Sequence, residues 1–262
     1  RNRDWLVALW GNMAHNKNKI VKISDSQRAY NQRVKDFYQK GIVDMNYNGY
    51  EPQYAVPISQ YEEGQSLTSI WAVKSLGIDP TTGKEIFLNR DGSVSDTWNA
   101  TQEVVVGNTE PKFNGSVGFN LAYKAWSLFA AFQYEWGGQE YNQTLVDRVE
   151  NARIQYQNVD LRVLTDRWKQ PGDIAQFKDI KNADNVTMPT SRFVQDKAYL
   201  RLSALTLSYD FNREWIKKHL GMNMLRLEAS TRDFINWNSI RQERGLSYPK
   251  SWTVDFSIKA QF

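Results

Sequence analysis

Apolar and polar residues alternate with a period of two in several long stretches of this chain, most cleanly in the last. In SWTVDFSIKAQF, residues 251–262, the apolar positions are Trp252, Val254, Phe256, Ile258, Ala260 and Phe262; Thr253, Asp255, Ser257, Lys259 and Gln261 are polar. That period belongs to a β-strand whose two faces meet different surroundings. In WSLFAAFQYEW, Trp126, Leu128, Ala130, Phe132, Tyr134 and Trp136 fall opposite Ser127, Gln133 and Glu135. Just upstream, NGSVGFNLAY sets Val117, Phe119, Leu121 and Tyr123 against Asn114, Ser116, Gly118 and Asn120. Only Lys124 and Ala125 separate the two runs, which predicts a tight hairpin. A strand predicted over 223–237 has Leu225, Leu227 and Ala229 opposite Arg226, Glu228, Ser230 and Arg232. Along 198–211 the phase switches from Leu200 and Leu202 to Leu205, Leu207 and Tyr209, which predicts a β-bulge near Ser203 and Ala204. The first strand is predicted over Trp5–Ala14.

These strands are long. Eleven or twelve residues at about 3.3 Å each, tilted by about 45°, cover about 25 Å, the height of the apolar band of a membrane barrel. Ordinary strands run about five or six residues. The predicted connections also alternate between short and long: 124–125 and 212–221 are short, 137–197 is long, 238–250 is of intermediate length, and 16–111 is the longest. Outer-membrane barrels show this parity, with short periplasmic turns and long outer loops. Helical pieces are predicted inside the long connections, at 24–39 and 144–156. A further hairpin is predicted from IWAVKSLGID and KEIFL, around the turn Pro80, Thr81, Thr82 and Gly83. Trp126, Tyr134, Trp136, Tyr209, Trp252 and Phe262 lie at the ends of their runs, where an aromatic girdle belongs. The expected class is therefore all-β, a transmembrane antiparallel barrel. The competing arrangement is two packed sheets in a secreted or surface glycan-binding module.

Composition changes this picture in two ways. The 262 residues include 10 Trp, 13 Tyr and 12 Phe, an aromatic share of 13% that calls for interfaces. The mean hydropathy of −0.63 gives no membrane-spanning helix, but a barrel hides its apolar face in alternate residues. The 33 basic and 29 acidic residues are spread along the chain, without a block suited to nucleic acid. The absence of cysteine excludes disulfides, thiolate metal sites and a Cys nucleophile.

Candidate chemistry is sparse. His15 and His219 are the two histidines, and neither belongs to a recognised catalytic motif. GIDPTTGKE departs from a phosphate loop in spacing and has Glu85 where Ser or Thr is required. LNRDGSVSD has acidic residues out of register for a calcium loop. No catalytic residue, metal ligand or cofactor is expected, and the chain is not expected to be an enzyme. The loop residues Trp71, Trp98 and Trp168 suit either stacking on a sugar or packing of the loops.

Five pieces in this order resemble one family across nearly the whole chain: GIDPTTGKEIFLNRDG (77–92), GNTEPKFNGSVGFNLAYKAWSL (107–128), DRWKQPGD (166–173), DKAYLRLSALTLSYDF (196–211) and YPKSWTVDFSIKAQF (248–262). They resemble the C-terminal part of a SusC/RagA-type TonB-dependent outer-membrane transporter of Bacteroidetes. The resemblance implies a plugged barrel of about twenty-two strands, with residues 1–262 as its C-terminal segment and the signal peptide, TonB box and plug lying outside them. It implies uptake of oligosaccharides or peptides, coupling to the TonB–ExbB–ExbD complex through the missing N-terminal part, and a SusD-like lipoprotein over the barrel. In such a barrel Arg226, Glu228, Arg232, Asp255 and Lys259 face the lumen. Trp126, Phe132, Tyr134, Trp136, Trp252, Val254, Phe256 and Ile258 form the lipid face and girdle, and Phe262 is the terminal aromatic of the assembly signal.

Overall fold

The computed structural model describes residues 4–48, 50–182, 185–241 and 252–262. Two sheets organise it. The larger is wholly antiparallel and runs β1 (Trp5–Ala14), β6 (Phe113–Tyr123), β7 (Trp126–Tyr141), β8 (Val194–Asp210), β9 (Met224–Thr231) and β11 (Val254–Gln261), with β10 (Asn236–Asn238) also on β8. The smaller has the order β4 (Val94–Ser95), β3 (Glu85–Leu88), β2 (Ser69–Ile78) and β5 (Glu103–Asn108).

The predicted hairpin forms as read: β6 and β7 pair from Tyr123↔Trp126 to Phe113↔Trp136. Lys124 takes a left-handed φ of 53° to close it. Between β7 and β8, Ala131 pairs with Ala204 and Phe132 with Leu202, so Ser203 is the extra residue of the predicted bulge. Its Oγ donates to the Ala131 carbonyl at 3.0 Å. A second irregularity at Gly137, φ 83°, lets β7 continue five residues beyond the predicted Trp136.

Three predicted elements need correction. The strand expected over 223–237 stops at Thr231 and resumes as β10, because Asp233 turns to φ 55° opposite the β8 bulge. There the Asp233 N–H donates to the Leu202 carbonyl and the Leu202 N–H to the Ile235 carbonyl, both at 2.9 Å. The helix expected over 24–39 extends as α1 (Asp25–Asn48), started by a capping box in which Ser24 Oγ accepts from the Gln27 N–H and Gln27 Oε1 from the Ser24 N–H. The helix expected over 144–156 is only one turn, α2 (Gln143–Leu145), widening to a π turn over Val146–Glu150. Ser251 and most of the predicted 238–250 loop lie outside the described residues.

Because the larger sheet is antiparallel, its connections sort to two ends. Lys124 and Ala125 share one end with α3 (Arg213–Leu220), while the connections 15–112 and 142–193 share the other. The long connections form a subdomain around the smaller sheet. The hairpin over 69–88 belongs to that sheet and not to the larger one. One core joins Val34 and Tyr38 of α1 to Tyr54, Val73, Phe87, Trp98 and Met188; a second joins Ala55, Leu145, Val146, Val149, Phe177, Val186 and Phe193. No helix among the described residues is long and apolar enough to cross a membrane, which says nothing of strands.

Candidate functional site

The register of the larger sheet fixes which side chains share a face. Val7, Leu121, Leu128, Leu207, Ala229 and Phe256 form one transverse row, and Leu9, Phe119, Ala130, Leu205, Thr231 and Val254 the next. Phe132 and Leu202 with Val117, Tyr134 and Leu200 with Gly115, and Leu227 with Ile258 lie on the same face. Its large side chains stand open on the edge strands, where Leu9 is 78% exposed, Phe256 82% and Ile258 71%, and are mostly half-buried on the strands between, with Leu202 buried. Contiguous exposure of this kind marks a contact surface.

Aromatic rows bound this face. At the short-turn end Trp5 lies 4.2 Å from Tyr123, Trp126 4.8 Å from Tyr209, and Tyr209 5.0 Å from Phe211, centroid to centroid. Toward the other end Phe113 stacks on Trp136 at 6.4 Å, and Phe234 lies 5.1 Å from Trp252. From Trp126 to Trp136 the strand rises about 33 Å, which at the tilt of about 40° usual for barrel strands would cover about 25 Å of a bilayer. All eight predicted apolar-face residues fall on this face or at its border: Trp126, Phe132, Tyr134, Trp136, Val254, Phe256 and Ile258 within the strands, and Trp252 just before β11.

The opposite face is polar over β8, β9 and β11, and it pairs its own charges. The Arg226 guanidinium donates to both Asp210 carboxylate oxygens, at 2.6 and 2.8 Å, and Lys259 Nζ lies 2.9 Å from Glu228 Oε2. Arg226 stands opposite Asp210 on one side and Lys259, a like charge, on the other, and Lys259 reaches along β9 to Glu228 instead, so these four residues form one cluster. Asp255 faces Ser230, and Arg232 lies beyond the end of β9. Sequence reading missed an aromatic pair on this face. Phe129 is out of phase with the polar pattern, and Trp10 stacks on it at 6.4 Å. A Cβ on Gly118 would sit 2.4 Å from the Trp10 ring, so only glycine leaves room for the indole to lie over β6.

In the subdomain the three loop tryptophans are packed. Trp98 is 8% exposed, packs on Tyr38 and donates to the Pro189 carbonyl at 2.9 Å; Trp71 is 3% exposed; and Trp168 donates to the Pro80 carbonyl at 2.8 Å. These bonds join the two long connections, as does a buried charge cluster. The Arg192 guanidinium reaches Glu85 at 2.8 Å and Glu150 at 2.6 Å, and Lys178 Nζ donates to Asn151 and Thr187 at 2.9 Å each. Burial pushes the Lys178 amine down to about 8. Burial works against Arg192 as well, but Glu150 and Glu85 hold its pKa above the ordinary arginine range. A recess of about 450 Å³ opens between the segment 56–59, the start of β2 and the residues Glu140, Tyr141 and Gln143. No group of three metal-ligating side chains occurs among the described residues. His15 Nδ1 meets the Lys112 carbonyl at a strand end, and His219 stacks on Trp215, so neither approaches a reactive partner.

Comparison with known proteins adds the following. No family model matches the chain. It is 24% identical over 246 residues to "TonB-dependent receptor P3" of Formosa agariphila, covering 90% of the chain and 23% of that protein. It is 23% identical over 184 residues to "TonB-dependent receptor P39" of the same organism, covering 62% of the chain and 17% of that protein. In fold it is similar to the RagAB peptide importer in the open-open state, with a TM-score of 0.71 at 18% identity over 100% of this chain and 27% of the other. The closed-closed state gives 0.70 at 18% identity over 100% and 28%. The chain thus spans about a quarter of the length of the relatives that it matches. Its likeness to SusC/RagA-type TonB-dependent transporters holds in sequence and in fold, over part of their length.

Proposed function

We propose that this chain, SusC/RagA-like in sequence and fold, supplies part of the wall and the outer loops of an outer-membrane importer powered through TonB. The observation that carries the reading is the two-faced sheet. Its apolar face, bounded by aromatic rows about 33 Å apart along the strand, would match at a barrel strand's tilt of about 40° the band of about 25 Å that a barrel presents to lipid. Its other face is polar over β8, β9 and β11 and carries the Arg226–Asp210 and Lys259–Glu228 pairs, as suits a wall that faces a polar lumen.

On this reading Trp126, Phe132, Tyr134, Trp136, Trp252, Val254, Phe256 and Ile258 meet lipid, and Arg226, Glu228, Arg232, Asp255 and Lys259 face the lumen. The first, second and last of that lumen set, Arg226, Glu228 and Lys259, stiffen the wall through cross-strand pairs. Asp255 and Arg232, which have no ion pair among the described residues, and the Trp10–Phe129 pair are then placed to meet the plug or the cargo. The long connections stand outside the membrane, and the Arg192 cluster holds them together where a SusD-like surface lipoprotein docks. Plug and TonB-binding segment come from residues beyond this chain, and the TonB–ExbB–ExbD complex acts through them. The remaining strands close a barrel of about twenty-two.

The cargo is an oligosaccharide or a peptide. The fold neighbours are named peptide importers, which puts peptides beside glycans on the test panel. The experiment is uptake of labelled peptides and oligosaccharides by a strain deleted for the gene of the full-length protein, with and without complementation and with TonB disrupted. The reading expects one cargo class to depend on both the gene and TonB. Uptake that needs the gene but persists without TonB contradicts it.

A further inference from the structure

The eight-residue helix α3 joins β8 to β9 at the short-turn end of the larger sheet. Asn212 Oδ1 caps its start by accepting from the Trp215 N–H at 3.1 Å, and Gly221, φ 68°, ends it. Ile216 is fully buried, whereas Trp215 and Leu220 are 50% and 46% exposed. At 100° per residue these two lie on either side of Ile216, so the helix leaves both flanks of its buried line open. The remaining surface carries Arg213, Lys217 and Lys218 against one acid, Glu214. None of the three cations has an ion pair among the described residues.

Lys217 and Lys218 in the last turn suit the helix dipole, but Arg213 in the first turn opposes it, so helix electrostatics alone do not explain the set. Nor do they explain two open apolar side chains. The position of the helix does: Phe211, just before it, packs edge-on against Tyr209, which packs on Trp126, so α3 starts where the aromatic row that bounds the apolar face ends. An aromatic and an aliphatic side chain astride a buried line, with cations above them, is the pattern of a helix lying in a lipid interface.

We propose that α3 is a docking surface for anionic phospholipid in the leaflet next to the short turns. Trp215 and Leu220 enter the boundary of the acyl chains, and Arg213, Lys217 and Lys218 meet headgroup phosphates. The proposal rests on the membrane reading of the sheet above and adds a lipid preference to it.

The test uses the full-length transporter in nanodiscs, with phosphatidylglycerol and phosphatidylcholine retained on the protein counted by native mass spectrometry. Each cation near an anionic surface is worth about fivefold, so R213Q/K217Q/K218Q should lower the preference for phosphatidylglycerol by roughly 100-fold relative to the parent. Trp215→Ala, which keeps the charges, should lower retention of both lipids alike, and R213K/K217R/K218R should keep the parent's preference. Heat-modifiable migration confirms that each variant is folded. A folded triple glutamine variant with the parent's preference overturns the proposal and leaves the wall assignment standing. A parent protein that is monodisperse without detergent overturns the wall assignment, and this proposal with it.

Discussion

Glu103→Gln isolates the effect of burying a carboxyl in the subdomain around the smaller sheet. Glu103 opens β5 opposite Val73, is 1% exposed, and accepts from Gln60 Nε2 at 2.6 Å through Oε2, while Oε1 has no hydrogen-bond partner among the described residues. Burial pushes its pKa up from 4.5 to about 7, opposed by Gln60, Lys35 and Arg90. The folded state therefore holds this proton more tightly than the unfolded chain does. Below pH 4.5 both states are protonated and the full stability is present. Between 4.5 and about 7 the unfolded chain ionises first, so stability falls as pH rises, and above about 7 it levels off. At about 1.36 kcal/mol per pH unit, the gap is worth about 3 kcal/mol. Glutamine keeps the shape and the bond to Gln60 but carries no proton to lose. The variant should match the parent near pH 4.5 and exceed it by up to about 3 kcal/mol near pH 8. Native-state hydrogen exchange at the α1 amides around Val34 and Tyr38, corrected for intrinsic rates, reads this in the full-length protein. Equal pH dependence in parent and variant refutes the reasoning.

Two further predictions concern the sheet. Leu205→Arg places a cation in the middle of the apolar face and should cost about 2–4 kcal/mol in phospholipid vesicles, whereas Thr206→Arg, on the polar face of the same strand, should cost under about 1 kcal/mol; a shift of similar size in the two urea midpoints contradicts the facing. Phe262 is 80% exposed directly after β11, and its deletion in the full-length protein should lower outer-membrane levels severalfold by membrane fractionation, unchanged levels counting against a role in assembly.

The strands of the larger sheet were legible because a period of two survives wherever the two faces differ. β6, β7, β8 and β11 carry that signal, and even the Ser203 bulge shows as a phase switch between Leu202 and Leu205. β9 misled because Arg232 continues the alternation in sequence, although Asp233 turns the chain; the cause is the bulge on the neighbouring strand, a tertiary effect. α2 stopped early for a similar reason. Glu150 and Asn151 are both fully buried, drawn into the Arg192 and Lys178 cluster, and that pairing across 27 to 42 residues leaves no local pattern. On the polar face Arg226 pairs with Asp210 and Glu228 with Lys259, pairings between strands that only the register reveals. Trp10 and Phe129 escaped notice because an aromatic on a polar face looks like an error in the alternation until the opposing glycine is seen.

The central claim is that one face of this sheet meets lipid and the other does not. A nitroxide scan along residues 126–136 of the full-length protein in a bilayer tests it directly. The account predicts high collision with oxygen and low collision with a water-soluble nickel chelate at Leu128, Ala130 and Phe132, and reduced oxygen collision at Ser127, Phe129 and Ala131. A scan without a period of two, or with the chelate favoured at Leu128, Ala130 and Phe132, would contradict it.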